Sequence, residues 1–176
     1  MIFTQTDIPG AWIVDPEPIS DSRGFFARTF CEQEFAARGL PTRFPQHSVS
    51  FNARQGTLRG LHFQRPPHEE TKLVSCTAGA IYDVCVDLRP DSPTFRQWRG
   101  FELTAANRRQ FLIPTGCAHG FQALSDNTEV RYLISEFYDP AASAGVRFDD
   151  PAFAVAWPLP ATEISEKDHA WPDFTA

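Results

Sequence analysis

The sequence predicts an all-β fold, a sandwich or barrel of short strands. Three observations carry this. From Val49 to Tyr138 strand-like segments follow one another with no helical stretch between them. Turn clusters at Arg89–Pro93, Pro114–Gly116 and Ser125–Asn127 separate them. The 176 residues include 16 Phe and 15 Pro, a composition of aromatic strands and proline-punctuated turns rather than of long helices.

One helix candidate precedes the strands, Cys31 to Arg38, with Gly39 behind it as a stop and Pro41 and Pro45 ending any continuation. Thr57–Gln64 reads as an apolar strand interrupted by Arg59 and His62. Leu73–Thr77 and Ala80–Leu88 read as two strands of a hairpin around a tight turn at Ala78-Gly79. In the second of these, Ile81, Asp83, Cys85 and Asp87 share one face, while Tyr82, Val84, Val86 and Leu88 share the other. Trp98–Leu103, Gln110–Ile113, Gly120–Leu124 and Glu129–Ser135 follow as strands. After Asp149-Asp150-Pro151 the chain is proline-rich and is expected to wrap the barrel as an arm. No repeat, low-complexity tract or linker interrupts residues 1–176, which read as one domain.

Composition excludes several classes. Hydrophobic residues make up 42% and charged residues 22%, a globular balance. The net charge of −6 and the lack of a Lys/Arg cluster disfavour a nucleic-acid partner. No apolar run approaches the ~18 residues of a membrane span. A start without basic or apolar character makes a cytoplasmic location the expectation. Cys31, Cys76, Cys85 and Cys117 have no CxxC spacing, so free thiols are expected rather than a zinc knuckle.

Few residues can carry chemistry. His62 is a titratable ring in an apolar strand beside Arg59 and close to Lys72; nearby cations favour a neutral imidazole, a usable base. Tyr132 shares an inward face with Val130 and Ile134, which also fits a core tyrosine with one hydrogen bond. Asp168 closes Ser165-Glu-Lys-Asp168, a capping-box pattern. Arg59 and Lys72 lie in apolar strands, where they could face an anion such as a diphosphate. His119 ends Pro114-Thr-Gly-Cys-Ala-His, which resembles the second motif of the cupin family. The first cupin motif, HxH, here reads His62-Phe63-Gln64, so its paired ligand is missing and no metal site is expected. Arg59 and His62 have opposite strand parity, and a bulge near Gly60 would bring them to one side.

The order of the motifs says more. Arg23-Gly-Phe-Phe26, Gly56-Thr-Leu-Arg-Gly-Leu-His-Phe-Gln64, Lys72-Leu-Val74, Tyr82–Arg89, Ser92-Pro-Thr-Phe95, Ile113–Phe121, Asp149-Asp-Pro151, Trp157-Pro158 and Ser165–Asp168 occur in succession. From about residue 8 to residue 172 the chain resembles the dTDP-4-dehydrorhamnose 3,5-epimerase family. The resemblance implies a cupin-type double-stranded β-helix (jelly roll) with a few short helices, a homodimer, a nucleotide-sugar substrate, and neither metal nor redox cofactor. It implies that His62 is the general base, Asp168 its dyad partner, Tyr132 the general acid and Lys72 the stabiliser of an enolate at the C4 oxygen. Arg59 and His119 match residues that hold substrate, and Arg23 and Gln46 match nucleotide contacts. Phe26, Phe121 and Tyr138 match aromatic pocket residues. The implied reaction takes dTDP-4-dehydro-6-deoxy-D-glucose to dTDP-4-dehydro-L-rhamnose. The chain departs from the family at Arg28 and Ser143, where the family is acidic, and in a segment after Gln46 that is one residue longer. These departures leave open another nucleotide or another 4-keto sugar. An epimerase acting at C3 or C5 alone would use the same base and acid; a non-catalytic jelly roll that binds a nucleotide sugar would have no use for His62, Tyr132, Asp168 and Lys72 together.

Overall fold

The computed structural model describes residues 1–175. Among the described residues, thirteen strands and two short helices occur, the strands mainly as two facing antiparallel sheets. The six-stranded sheet runs β1-β2-β10-β7-β12-β5: Ile2–Gln5, Trp12–Asp15, Gln110–Ile113, Lys72–Ala78, Thr128–Ile134 and Gln46–Asn52. The five-stranded sheet runs β13-β6-β11-β8-β9: Ser143–Gly145, Leu58–Gln64, Cys117–Ala123, Ala80–Asp87 and Trp98–Thr104. A separate hairpin pairs β3 (Ile19–Asp21) with β4 (Gly24–Phe26). The helices are α1 (Glu32–Ala36) and α2 (Glu166–His169). This is the expected jelly roll, and no helix among the described residues is long and apolar enough to cross a membrane.

The expected hairpin at Gly79 is corrected. β7 and β8 are consecutive but do not pair; β7 lies between β10 and β12, and β8 between β11 and β9. The chain passes from one sheet to the other at this corner. Gly79, at φ +75°, is packed so tightly that a Cβ would lie 2.5 Å from Thr128 Oγ1. The helix is also shorter than expected, because only Glu32–Ala36 closes helical hydrogen bonds before Gly39 turns at φ +67°. β11 begins at Cys117 rather than Gly120, since Cys117, Ala118 and His119 already pair with Asp87, Val86 and Cys85.

The face alternation read for β8 holds. Ile81 and Cys85 join Val74, Phe111, Phe121 and Val130 in the core between the sheets. Val84 and Val86 face outward and are covered with Leu61 and Ala118 by Val146, Phe153, Trp157 and Phe174. The proline-rich arm therefore buries the outer face of the five-stranded sheet, which is why Val84 and Val86 on that side of β8 are apolar. A third cluster packs Phe35 of α1 on Val14, Leu73 and Leu112, outside the other sheet. All four cysteines are free thiols.

Between β8 and β9 the turn is organised by Asp87. Its carboxylate accepts from the Arg89 guanidinium at 2.8 Å, Ser92 Oγ at 2.5 Å and Thr94 Oγ1 at 2.7 Å. Burial pushes this carboxyl up, but the Arg89, Ser92 and Thr94 bonds outweigh burial and hold it at about 2. A folded-state value below the unfolded one stabilises above the unfolded pKa of about 3.9 and is lost as pH falls through the folded value. Between pH 5 and pH 2 the wild type should therefore lose about 2 kcal/mol more unfolding free energy than Asp87→Asn, measured by denaturant titration at each pH.

Candidate active site

A cavity of about 670 Å³ opens between the two sheets. His62, Arg59 and Phe121 enter it from the five-stranded sheet, and Tyr132, Lys72 and Gln46 from the six-stranded sheet. Asp168 of α2 closes one side.

The backbone of β6 decides what faces the cavity. The register with β11 pairs His62 with His119 but Arg59 with Phe121, so three steps on β6 match two on β11. This is the bulge expected near Gly60. Gly60 has φ +129°, and a Cβ there would lie 2.5 Å from Gly120 Cα, so no other residue fits. The extra residue reverses the parity, and Arg59 and His62 both line the cavity.

Asp168 plays both parts suggested for Ser165–Asp168. Its backbone N–H donates to Ser165 Oγ, the N-cap of α2, at 3.1 Å. Its carboxylate turns away from the helix and meets His62 Nε2 at 2.6 Å and the Gly60 N–H at 3.3 Å. α2 is fixed against β6 because Leu58 N–H donates to Glu163 O and Thr57 bridges Glu163. Burial pushes the Asp168 carboxyl up, but the bonds from His62, Gly60 and Ser165 outweigh it and hold the group below its ordinary value. An ionised carboxylate only accepts, so it takes Nε2–H and leaves the His62 Nδ1 lone pair free.

Across the cavity, the Tyr132 hydroxyl is 3.1 Å from Ser50 Oγ. Burial pushes its phenol well up, more than the Ser50 bond and Arg59 lower it, so at neutral pH it carries its proton. Lys72 Nζ lies 2.8 Å from Glu70 Oε1 and 3.4 Å from His62 O. Arg59 is braced by Asn52 Oδ1 at 2.8 Å and Phe51 O at 3.2 Å.

His119 Nε2 is held 2.8 Å from Asp83 Oδ1, with both side chains buried. Here burial wins: the Asp83 carboxyl is pushed up despite His119 and Lys72, and its Oδ2 has no partner. Asp83 could have been noticed as a charge on the inward face of β8. Ser50, Asn52 and Glu70 gave no such signal, because each is defined by a partner distant in sequence or by a loop contact. Gln46 Oε1 accepts from Tyr138 N–H at 2.7 Å, and both residues line the cavity.

Arg23 and Phe26 do not reach this cavity in the chain itself. They lie on the β3–β4 hairpin, where Arg23 pairs with Asp21 and Phe26 is 71% exposed. Among the described residues no group of three or more His, Cys, Asp or Glu side chains is placed to hold a metal ion.

A carboxylate-bound imidazole and a protonated phenol thus enter one cavity from opposite sheets of a jelly roll. Comparisons with known proteins give the class: a cupin-type epimerase. The sequence profile of the dTDP-4-dehydrorhamnose 3,5-epimerase family matches residues 5–176. The dTDP-4-dehydrorhamnose 3,5-epimerase of Methanothermobacter thermautotrophicus is 46% identical, over 96% of this chain and 92% of that protein. The crystal structure of the Bacillus anthracis str. Ames enzyme with TDP and PPi bound is 42% identical, with a TM-score of 0.95 and coverage of 98% and 99%. The Legionella pneumophila Philadelphia 1 dTDP-6-deoxy-D-glucose-3,5-epimerase, in complex with dTDP-4-keto-L-rhamnose, is 37% identical with a TM-score of 0.90, covering 99% of each chain. The chain belongs to the dTDP-4-dehydrorhamnose 3,5-epimerase family and is an isomerase.

The phenol gives a direct test of the site electrostatics. At pH about 10, where an ordinary tyrosine is half ionised, the ultraviolet difference between wild type and Tyr132→Phe should contain no phenolate band. A phenolate signal assignable to Tyr132 at that pH would contradict its burial.

Proposed function

We propose that this protein inverts C3 and C5 of dTDP-4-dehydro-6-deoxy-D-glucose, giving dTDP-4-dehydro-L-rhamnose. One observation carries the reading: His62 and Tyr132 enter one cavity from opposite sheets. Inversion needs a base on one face of a sugar ring and a proton donor on the other, and this arrangement supplies both.

A C–H beside a ketone is a weak acid, and a neutral imidazole removes its proton only if the enolate is stabilised. His62 Nδ1 takes the proton, and Asp168 stabilises the imidazolium. The Lys72 ammonium lies beside His62 and offers its charge to the C4 oxygen as the enolate forms. Tyr132 then delivers its proton to the opposite face of the same carbon. C3 and C5 flank one carbonyl, so a single base and acid serve both, once solvent has taken the proton from His62 and returned one to Tyr132. Arg59, with a guanidinium facing the cavity, and His119 hold the substrate, and the aromatic faces of Phe121 and Tyr138 complete the wall. The relative solved with TDP bound and the one solved with dTDP-4-keto-L-rhamnose support a thymidine-linked 4-keto sugar as the ligand.

The working unit in this reading is a homodimer. Arg23 and Phe26 stand on an exposed hairpin, and their assignment to substrate requires a neighbouring copy to supply them.

In deuterated buffer, NMR should show loss of both H3 and H5 of the sugar with wild-type protein. His62→Ala should abolish this exchange while dTDP still binds. Tyr132→Phe should slow inversion at least about tenfold more than exchange, the ratio produced by ~1.4 kcal/mol in one step alone. Exchange at a single carbon would replace this reading by a one-centre epimerase. Equal losses of exchange and inversion in Tyr132→Phe would remove the phenol from its role as acid.

A further inference from the structure

Gln64 takes the place of the second histidine in the cupin HxH motif, and the acid–base chemistry leaves it without a task. It lines the cavity two residues beyond His62, yet only 4% of its surface is exposed. Its amide is fully employed. Nε2 donates to His68 O at 2.8 Å and to Phe137 O at 3.1 Å. Oε1 accepts from Asp139 N–H at 2.7 Å.

These partners belong to two loops at the cavity mouth, one after β6 and one after β12. Three further contacts join the same loops to the barrel or to each other. Gln46 Oε1 accepts from Tyr138 N–H at 2.7 Å, Arg65 N–H donates to Ala142 O at 2.9 Å, and His68 Nε2 lies 3.3 Å from Asp139 Oδ2. Residues 137–139 have no strand to hold them. Between the clamped main-chain groups of Phe137 and Asp139 stands Tyr138, 58% exposed and part of the cavity wall. An aromatic ring that exposed gets little fixing from packing, so its main chain must fix it.

We propose that Gln64 is a positioning residue: its amide clamps residues 137–139 so that the Tyr138 ring is preset as the wall against the nucleoside of the substrate. A glutamine suits the task because one planar group donates twice and accepts once. A histidine there could not satisfy two carbonyls and an amide together. The position that could ligate a metal in a cupin is thus committed to the rim of the site. The inference rests on the nucleotide-sugar reading of the cavity.

The test compares wild type with Gln64→Met, similar in length but unable to form the clamp, and with Gln64→Glu, which keeps only the acceptor to Asp139. Circular dichroism establishes that both variants are folded. Hydrogen–deuterium exchange of the amides of 138 and 139 should accelerate in both. KM for the sugar nucleotide and Kd for dTDP should rise about tenfold in Gln64→Met, the fold-change that follows if part of the net worth of the three lost hydrogen bonds is preorganisation for binding, with kcat within about threefold. Gln64→Glu, which sets a carboxylate oxygen against the His68 and Phe137 carbonyls, should lose at least as much affinity. Unchanged amide exchange would overturn the proposal, and so would a fall in kcat at unchanged KM and Kd. A wild-type protein that binds dTDP but does not exchange sugar protons would refute the epimerase reading alone, because amide exchange and dTDP affinity are read without turnover.

Discussion

The candidate active site depends on two glycines, on neighbouring strands of the five-stranded sheet, that let their backbones touch. Gly60 of β6 and Gly120 of β11 approach so closely that a Cβ on the first would lie 2.5 Å from the Cα of the second. A Cβ on Gly120 would in turn lie 2.7 Å from Arg59 O. This contact accommodates the extra residue of β6, and the extra residue turns Arg59 and His62 to the same side. It also leaves the Gly60 N–H free of the ladder to meet Asp168. A regular strand would have sent the guanidinium or the imidazole to the outer face, into the apolar layer of Leu61, Val84 and Phe153.

The two Asp–His pairs of the cavity look alike, but their carboxyls are shifted in opposite directions. Asp168 receives bonds from His62, Gly60 and Ser165, and together they overcome its burial. Asp83 is completely buried, has one carboxylate oxygen without a partner, and is pushed up by desolvation. The number of donors around each carboxylate, rather than its distance from histidine, separates them. The first pair presents a free imidazole nitrogen to a partly solvated cavity. The second is a rigid fixture in the wall behind Tyr132, whose ring it meets edge-on at 6.2 Å. Environments that push similar groups apart are the usual means by which one site holds separate acid and base functions.

Much of this was legible in the sequence for a definite reason. Strand alternation reports burial directly, so the two faces of β8, the inward direction of Tyr132 and the covering arm could all be read from the order of residues. The bulge followed from the conflicting parity of Arg59 and His62 next to a glycine. The pairing of β7 and β8 was not legible, because a tight glycine turn looks the same whether the strands meet in one sheet or part into two. The corner is set by Thr128 and Ser125, some fifty residues away from Gly79 in sequence. Asp168 carried a local signal, the helix cap, that was true; its second partner, His62, came from the family resemblance and not from the local pattern. Ser50, Asn52 and Glu70 are recognisable only after folding supplies Tyr132, Arg59 and Lys72. Arg23 and Phe26 could be named by motif but not located, since their hairpin stands apart from both main sheets.

The placement of His62 and Tyr132 on separate sheets makes the layer between those sheets a spacer. Phe111, Leu103, Phe121 and Val130 set how far apart the sheets stand, with no atom of Phe111 or Leu103 in the cavity. Facing sheets rest about 10 Å apart, and the interior is packed too densely to absorb a missing methylene silently. In the proposed reaction this thickness is the gap across which a sugar ring must be reached from both faces. Under the proposed reaction the hydrophobic filling is a gauge block: thinning it at Leu103 or Phe111 shifts His62 against Tyr132 as well as weakening the barrel.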